Sequence, residues 1–204
     1  MDYQRFEYAN LAWIAYQSEQ DKYRALRKYG LSEIYFMLPK FSDVNNTTFY
    51  NWQTQTIVLS VRGTDANNVL GQRNSDLITD FQLAFGRLNQ TERFKDSKNM
   101  LDRIMAEYPN IPVILTGHSL GASIADYLSM AYKIPAILFN TASTPLSILP
   151  NPLATRYTTN RPLAGYIDIL SMTDAIYNPS IIVDNLRGTE GLSTHTIQNF
   201  TPRL

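Results

Sequence analysis

Val113-Ile-Leu-Thr-Gly-His-Ser-Leu-Gly-Ala-Ser-Ile-Ala125 is the stretch that decides the fold. Val113 to Thr116 is a short apolar run, the pattern of a strand buried on both faces. Leu120 to Tyr132 follows with helical patterning, so strand gives way to helix across three residues, Gly117, His118 and Ser119. Gly117-His-Ser-Leu-Gly121 fits G-x-S-x-G, in which a sharp strand-to-helix turn lifts a serine hydroxyl clear of a sheet and the flanking positions must be small. The pattern alone is common by chance, and its context is what gives it meaning. A buried strand precedes it, and Gly121, Ala122 and Ala125 leave room for close helix packing after it. The backbone N–H of Leu120 then lies at a helix N-terminus, where it can receive negative charge that develops on an attacked carbonyl.

Outward from this stretch, the chain alternates strands and helices. Phe6, Ala9, Trp13 and Tyr16 share a helical face, and a second helix runs from about Asp21 to a close at Gly30. Ile34 to Leu38, Thr47 to Trp52 and Thr56 to Val61 read as three strands, divided by Pro39 and the Ser42–Asn46 turn cluster. Leu77, Phe81, Ala84 and Phe85 share a helical face. Phe94, Ser97, Leu101, Ile104 and Tyr108 mark a longer helix ended by Pro109. Beyond the central helix, Ala136 to Asn140 and Tyr166 to Ser171 read as strands. The Thr141–Pro162 stretch between them, with Pro145, Pro150, Pro152 and Pro162, reads as a surface excursion or part of a binding wall. The order predicts an α/β-hydrolase-type fold: a mostly parallel sheet with flanking helices, built as a single domain over residues 1–204.

Composition narrows the chemistry. Lys and Arg number 18 against 18 Asp and Glu, so no net field attracts a polyanion, and no nucleic-acid partner is expected. There is no Cys and there are only two His, which excludes thiolate clusters, disulfides and cysteine nucleophiles; no metal and no organic cofactor is expected. The N-terminal residues carry charge where a signal peptide is apolar, and no apolar run approaches the ~20 residues of a membrane span. With the lack of cysteine, this leads to the expectation of an intracellular protein.

A serine nucleophile needs a base. His118 adjoins Ser119 in a turn that directs neighbouring side chains apart, which leaves His195, in Gly191-Leu-Ser-Thr-His-Thr-Ile197, and the chain order Ser, acid, His. The acid must lie between them, and Asp126, Asp168, Asp174, Asp184 and Glu190 are the carboxylates available. Asp126 falls in the helix after the motif and Asp168 inside a strand. Asp174 follows that strand directly and is the preferred acid, with Asp184, after Ile181-Ile-Val183, as its rival. Upstream, the strand Thr56 to Val61 runs into Arg62-Gly-Thr-Asp65, a glycine turn of the kind that supplies a second oxyanion N–H, here with the Thr64 hydroxyl beside it.

Val61-Arg-Gly-Thr64, Asp76-Leu-Ile-Thr-Asp80-Phe81, Thr116-Gly-His-Ser-Leu-Gly-Ala122, Ser171-Met-Thr-Asp174 and the late His195 together resemble the class 3 lipases, the fungal-lipase-like α/β-hydrolases, over roughly Tyr50 to Phe200. The resemblance implies Ser119 as nucleophile, Asp174 as acid, His195 as base, and Thr64 and Leu120 as the oxyanion hole. Asp80 matches the aspartate that holds the oxyanion hydroxyl in place. It also implies a lid over about 65–76, where only Val69 and Leu70 are apolar, a weak face for an oil–water interface. The expected activity is hydrolysis of lipid or small acyl esters through an acyl-enzyme, with at most weak contact with a lipid surface. An acyltransferase using the same triad, or a catalytically silent binding module on a hydrolase fold, are the alternatives.

Overall fold

The structure, a computed structural model, describes residues 3–64, 88–142, 150–159, 181–183 and 197–201. Its frame is a seven-stranded sheet in which β1 (Tyr35–Met37), β2 (Asn46–Asn51), β3 (Thr56–Val61), β4 (Val113–His118), β5 (Ala136–Phe139), β6 (Ala154–Thr159) and β7 (Ile181–Val183) lie side by side in chain order. β1, β2 and β3 form an antiparallel meander, and from β3 to β7 every pairing is parallel. The four residues Trp52 to Gln55 reverse the chain between β2 and β3, with the Asn51 side-chain oxygen accepting from the Gln53 and Thr54 N–H groups and Gln55 at φ 53°, whereas parallel neighbours need crossovers. α3 (Glu92–Glu107) precedes β4, and α4 (Leu120–Tyr132) carries the chain from β4 to β5.

Strand alternation sorts the core into two layers. Ile57, Leu59, Val61, Val113, Leu115, Ala136 and Leu138 face α3 and α4, where they meet Phe94, Leu101, Ile104, Ile124 and Leu128. Val58, Ile137 and Phe139 face the other way, onto α1 (Tyr3–Ile14) and α2 (Glu19–Lys28). The Ser60 hydroxyl crosses this second layer to donate to the Leu11 carbonyl at 3.2 Å. Covered on both faces, β4 is the apolar run that its sequence announces.

The helix ends follow their local chemistry. Ser18 caps α2 by accepting the Asp21 N–H, and Gly30 at φ 68° turns the chain away after its last turn. Thr91 caps α3 in the same way, accepting from the Phe94 N–H at 3.2 Å.

Two expectations need correction. α1 stops at Ile14, so Tyr16 lies beyond it, and its buried residues are Tyr8, Ala9, Asn10, Leu11, Ala12 and Ile14, while Phe6 and Trp13 stay half-buried. The helix is covered on more than one side, by the sheet, by α2 and by the short Ile197–Asn199 helical turn with Phe200, which widens its buried arc. The second correction is β6, a strand within the Thr141–Pro162 connection that pairs in parallel with β5. The predicted strand over Tyr166–Ser171, the Leu77–Phe85 helix and the segment over 65–76 lie outside the described residues. Among the described residues, no helix is long and apolar enough to cross a membrane.

Candidate active site

β4 ends at His118 and α4 begins at Leu120, so Ser119 alone makes the turn between them. It does so at φ 57° and ψ −126°, a backbone conformation that costs a non-glycine residue about 1–3 kcal/mol and persists only where its surroundings over-determine it. Those surroundings are on both sides. The Ser119 N–H donates to the Phe139 carbonyl of β5 at 3.1 Å, and the Ser119 carbonyl accepts from Ser123 at 3.2 Å and from Ala142 at 3.3 Å. As the first residue of α4, Leu120 has an N–H with no acceptor inside the helix.

Three glycines bring the elements of the site together by close backbone approach. A Cβ on Gly117 would lie 2.7 Å from the Gly121 backbone, so the turn closes on itself. A Cβ on Gly121 would lie 2.2 Å from the Val61 carbonyl oxygen and 2.8 Å from the Gly63 nitrogen, so α4 starts in contact with the end of β3. A Cβ on Gly63 would meet the Tyr16 hydroxyl, the His118 carbonyl at 2.4 Å and the Ser119 Cβ at 3.3 Å. The Arg62-Gly63-Thr64 segment therefore lies against the Ser119 turn, and Thr64 is half-buried beside it.

His118 is buried, and its Nδ1 is hydrogen-bonded to the Tyr16 hydroxyl at 3.0 Å, which fixes the ring against the turn after α1. Arg93, in the first turn of α3, reaches the same loop from the opposite layer. Its Nη2 donates to the Arg62 carbonyl and, at 3.0 Å, to the Gly63 carbonyl. Burial presses the Arg93 pKa below its ordinary value, with the nearby Tyr16 opposing that trend and Arg62 adding to it.

The carboxylates resolve unequally. Asp126, on α4, is buried and accepts from Arg156 of β6 on both oxygens at 2.8 Å, and from the Asn151 amide at 2.7 Å. That carboxylate is held by a partner on the far strand. Asp80, Asp168, Asp174, Asp184, Glu190 and His195 lie outside the described residues, so the structure brings together Ser119, Leu120 and Thr64 among the residues singled out.

Tyr16 and Arg93 went unrecognised in the sequence as parts of this site. Tyr16 reads as one more apolar position of a helix. Arg93 leaves a signal: a cation in a first helical turn runs against the helix dipole, and such a residue is held there by something outside the helix.

Comparison with known proteins places this geometry. The Mbeg1-like family matches residues 37–137, just under half of the chain, a span that runs from the end of β1 to the start of β5 and includes Thr64, Ser119 and Leu120. A protein of Eremothecium gossypii described as a candidate lipase, ATG15, is 34% identical over 58 residues, covering 26% of this chain and 11% of that relative's length. Lipase II from Rhizopus niveus superposes with a TM-score of 0.51 at 14% identity, covering 91% of this chain and 81% of that structure. Lip2 lipase from Yarrowia lipolytica superposes at 0.48 with 17% identity, covering 77% and 70%. The chain thus matches the Mbeg1-like family over residues 37–137, the stretch that holds the G-x-S-x-G turn, and its architecture is the α/β-hydrolase fold.

Proposed function

We propose that the protein is a serine carboxylic-ester hydrolase acting on lipid or small acyl esters. The observation that carries this reading is the contact of the Gly63 loop with the Ser119 turn at the head of α4, because it sets two sources of backbone N–H beside one serine. Ser119 attacks the ester carbonyl while His195 takes its proton, and Asp174 orients the imidazole and stabilises its charged form. The N–H groups of Leu120 and Thr64 receive the oxyanion, and Asp80 steadies the Thr64 hydroxyl. His195 then protonates the departing alkoxide, and water, activated by the same histidine, releases the acid. Neither a metal nor an organic cofactor enters this scheme. The similarity to an ATG15 protein described as a candidate lipase, and to the fold of the Rhizopus niveus lipase, supports an ester substrate.

The test is hydrolysis of p-nitrophenyl butyrate by wild type and by Ser119→Ala, His195→Ala, Asp174→Asn and Asp184→Asn. Ser119→Ala and His195→Ala are expected to lose essentially all turnover. Asp174→Asn is expected to lose on the order of 10⁴-fold in kcat, with Asp184→Asn near wild type. Loss at Asp184 with Asp174 unaffected would move the acid to the rival position. With only Val69 and Leu70 apolar in the segment over 65–76, activity is expected to rise smoothly with soluble substrate. Activity that stays low until the ester exceeds its solubility and then jumps would contradict a weak lid. Product analysis with glycerol present separates hydrolysis from acyl transfer to an alcohol.

A further inference from the structure

We infer that Arg93 is a positioning residue for the oxyanion hole, holding and polarising the peptide that presents the Thr64 N–H. The inference rests on the hydrolase reading above and adds a residue to it. Three observations carry it. Arg93 spans the two peptide units on either side of Gly63, since its Nη2 donates to the carbonyls of both Arg62 and Gly63. Its position in the first turn of α3 is one where the helix dipole disfavours a cation, so the helix itself gives no reason for it. Its Nε is buried without a hydrogen-bond partner, and no carboxylate among the described residues forms an ion pair with it.

The chemistry follows from the peptide unit. The Gly63 carbonyl and the Thr64 N–H belong to one planar trans amide, in which C=O and N–H point to opposite sides. Gripping the carbonyl from the α3 side fixes the direction in which the N–H faces. A charged donor on the carbonyl oxygen also draws electron density through the amide, which makes the N–H at its other end a stronger donor. Gly63 sharpens the need for such a grip: a residue without a Cβ is held at this point by its contacts, and the atoms nearest the place of its missing Cβ are the Tyr16 hydroxyl, the His118 carbonyl and the Ser119 Cβ.

The experiment uses the full chain, with p-nitrophenyl butyrate as substrate, butaneboronic acid as a tetrahedral-adduct inhibitor, and active sites counted by fluorophosphonate incorporation. Arg93→Met is expected to lower kcat per active site by about 10- to 100-fold with KM within about twofold of wild type, the signature of an interaction made in the transition state. Boronate affinity is expected to weaken by a comparable factor. Arg93→Lys, which keeps charge and one reaching donor, is expected to recover part of both. A kcat within twofold of wild type in Arg93→Met, or a rise in KM with boronate affinity unchanged, overturns the assignment and leaves the hydrolase reading standing. If Arg93→Met does not melt cooperatively, Arg93→Gln, a neutral donor of shorter reach, is judged by the same criteria. Wild type that neither turns over the ester nor incorporates the probe overturns the hydrolase reading and the role of Arg93 with it.

Discussion

At the scale of single residues, the site is built from positions where a side chain would not fit. Gly63 shows this best, because both the Tyr16 hydroxyl and the His118 carbonyl occupy the space of its missing Cβ. Gly63→Ala is therefore expected to push the Arg62–Thr64 loop off the nucleophile turn and to lower kcat by about 10²-fold, the loss expected for one misplaced oxyanion donor. Removing the hydroxyl in Gly63→Ala/Tyr16→Phe should not restore activity, because the backbone carbonyl still blocks the methyl group; recovery in the double variant would show that the hydroxyl alone sets the constraint. Ser119 is the opposite case, a residue with a side chain in a conformation that disfavours one. Its backbone is pinned to β5 by the Phe139 carbonyl, so the strain is sustained by the sheet.

At the scale of elements, α4 is held at its first turn and at its middle by chemistry that the sequence shows only in part. Its first turn fits against β3 through Gly121, and this was legible because strand, glycine motif and helix agree over one short stretch. Its middle is tied to β6 through Asp126 and Arg156, and that tie was not legible. Ala154-Thr-Arg-Tyr-Thr-Thr159 is polar, flanked by prolines, and carries an arginine that belongs on a surface by any composition rule. The carboxylate waiting on α4 makes burial of Arg156 tolerable, and that pairing joins residues 30 apart in the chain. Asp126→Ala is expected to cost about 3–5 kcal/mol in urea unfolding, because it leaves a buried guanidinium uncompensated, while Asp126→Leu/Arg156→Met is expected to cost less than either single change. A double variant at least as damaged as the worse single one would contradict that account.

α3 and α4 are also joined at the surface. Asp102 of α3 accepts from Tyr132 of α4 at 2.5 Å and from Lys98 at 2.7 Å. Burial raises the Asp102 pKa, but the hydrogen bonds from Lys98 and Tyr132 outweigh it, and the carboxyl is held below its ordinary value. A lowered folded pKa means that the charged form stabilises the fold. The contribution is present above the ordinary aspartate pKa of about 4 and lost as pH falls through the folded value. The melting temperature of wild type should therefore exceed that of Asp102→Asn near neutral pH and converge with it at strongly acid pH. A gap independent of pH would assign the effect to packing instead.

At the scale of the whole molecule, the sheet order explains why the site lies where it does. Parallel strands β3, β4 and β5 are adjacent, so their carboxyl ends emerge together: Arg62-Gly63-Thr64 after β3, Ser119 after β4, and Asn140 to Ala142 after β5. A parallel sheet gathers distant parts of the chain at one edge, the geometry that places ligand sites at strand C-termini in open α/β folds. The sequence reading reached this arrangement through the order of motifs, because each motif is local and its spacing in the chain survives. It did not reach the Arg93 grip, because that acts on backbone carbonyls and leaves no pairing of residue types to be read, or the Tyr16–His118 hydrogen bond, because that joins side chains 102 residues apart in the chain. Asp174, Asp80 and His195 enter through motif order, as part of the proposed mechanism.

The central claim is that Ser119 is a nucleophile activated by His195. Labelling of the folded protein with a fluorophosphonate probe, followed by mapping of the modified peptide, tests it most directly, because the probe reacts with an activated serine and needs no knowledge of the substrate. Wild type should label on Ser119, His195→Ala should label far more slowly, and Ser119→Ala should not label at all. Folded wild type that remains unlabelled, or Ser119→Ala that labels as well as wild type, would contradict the account.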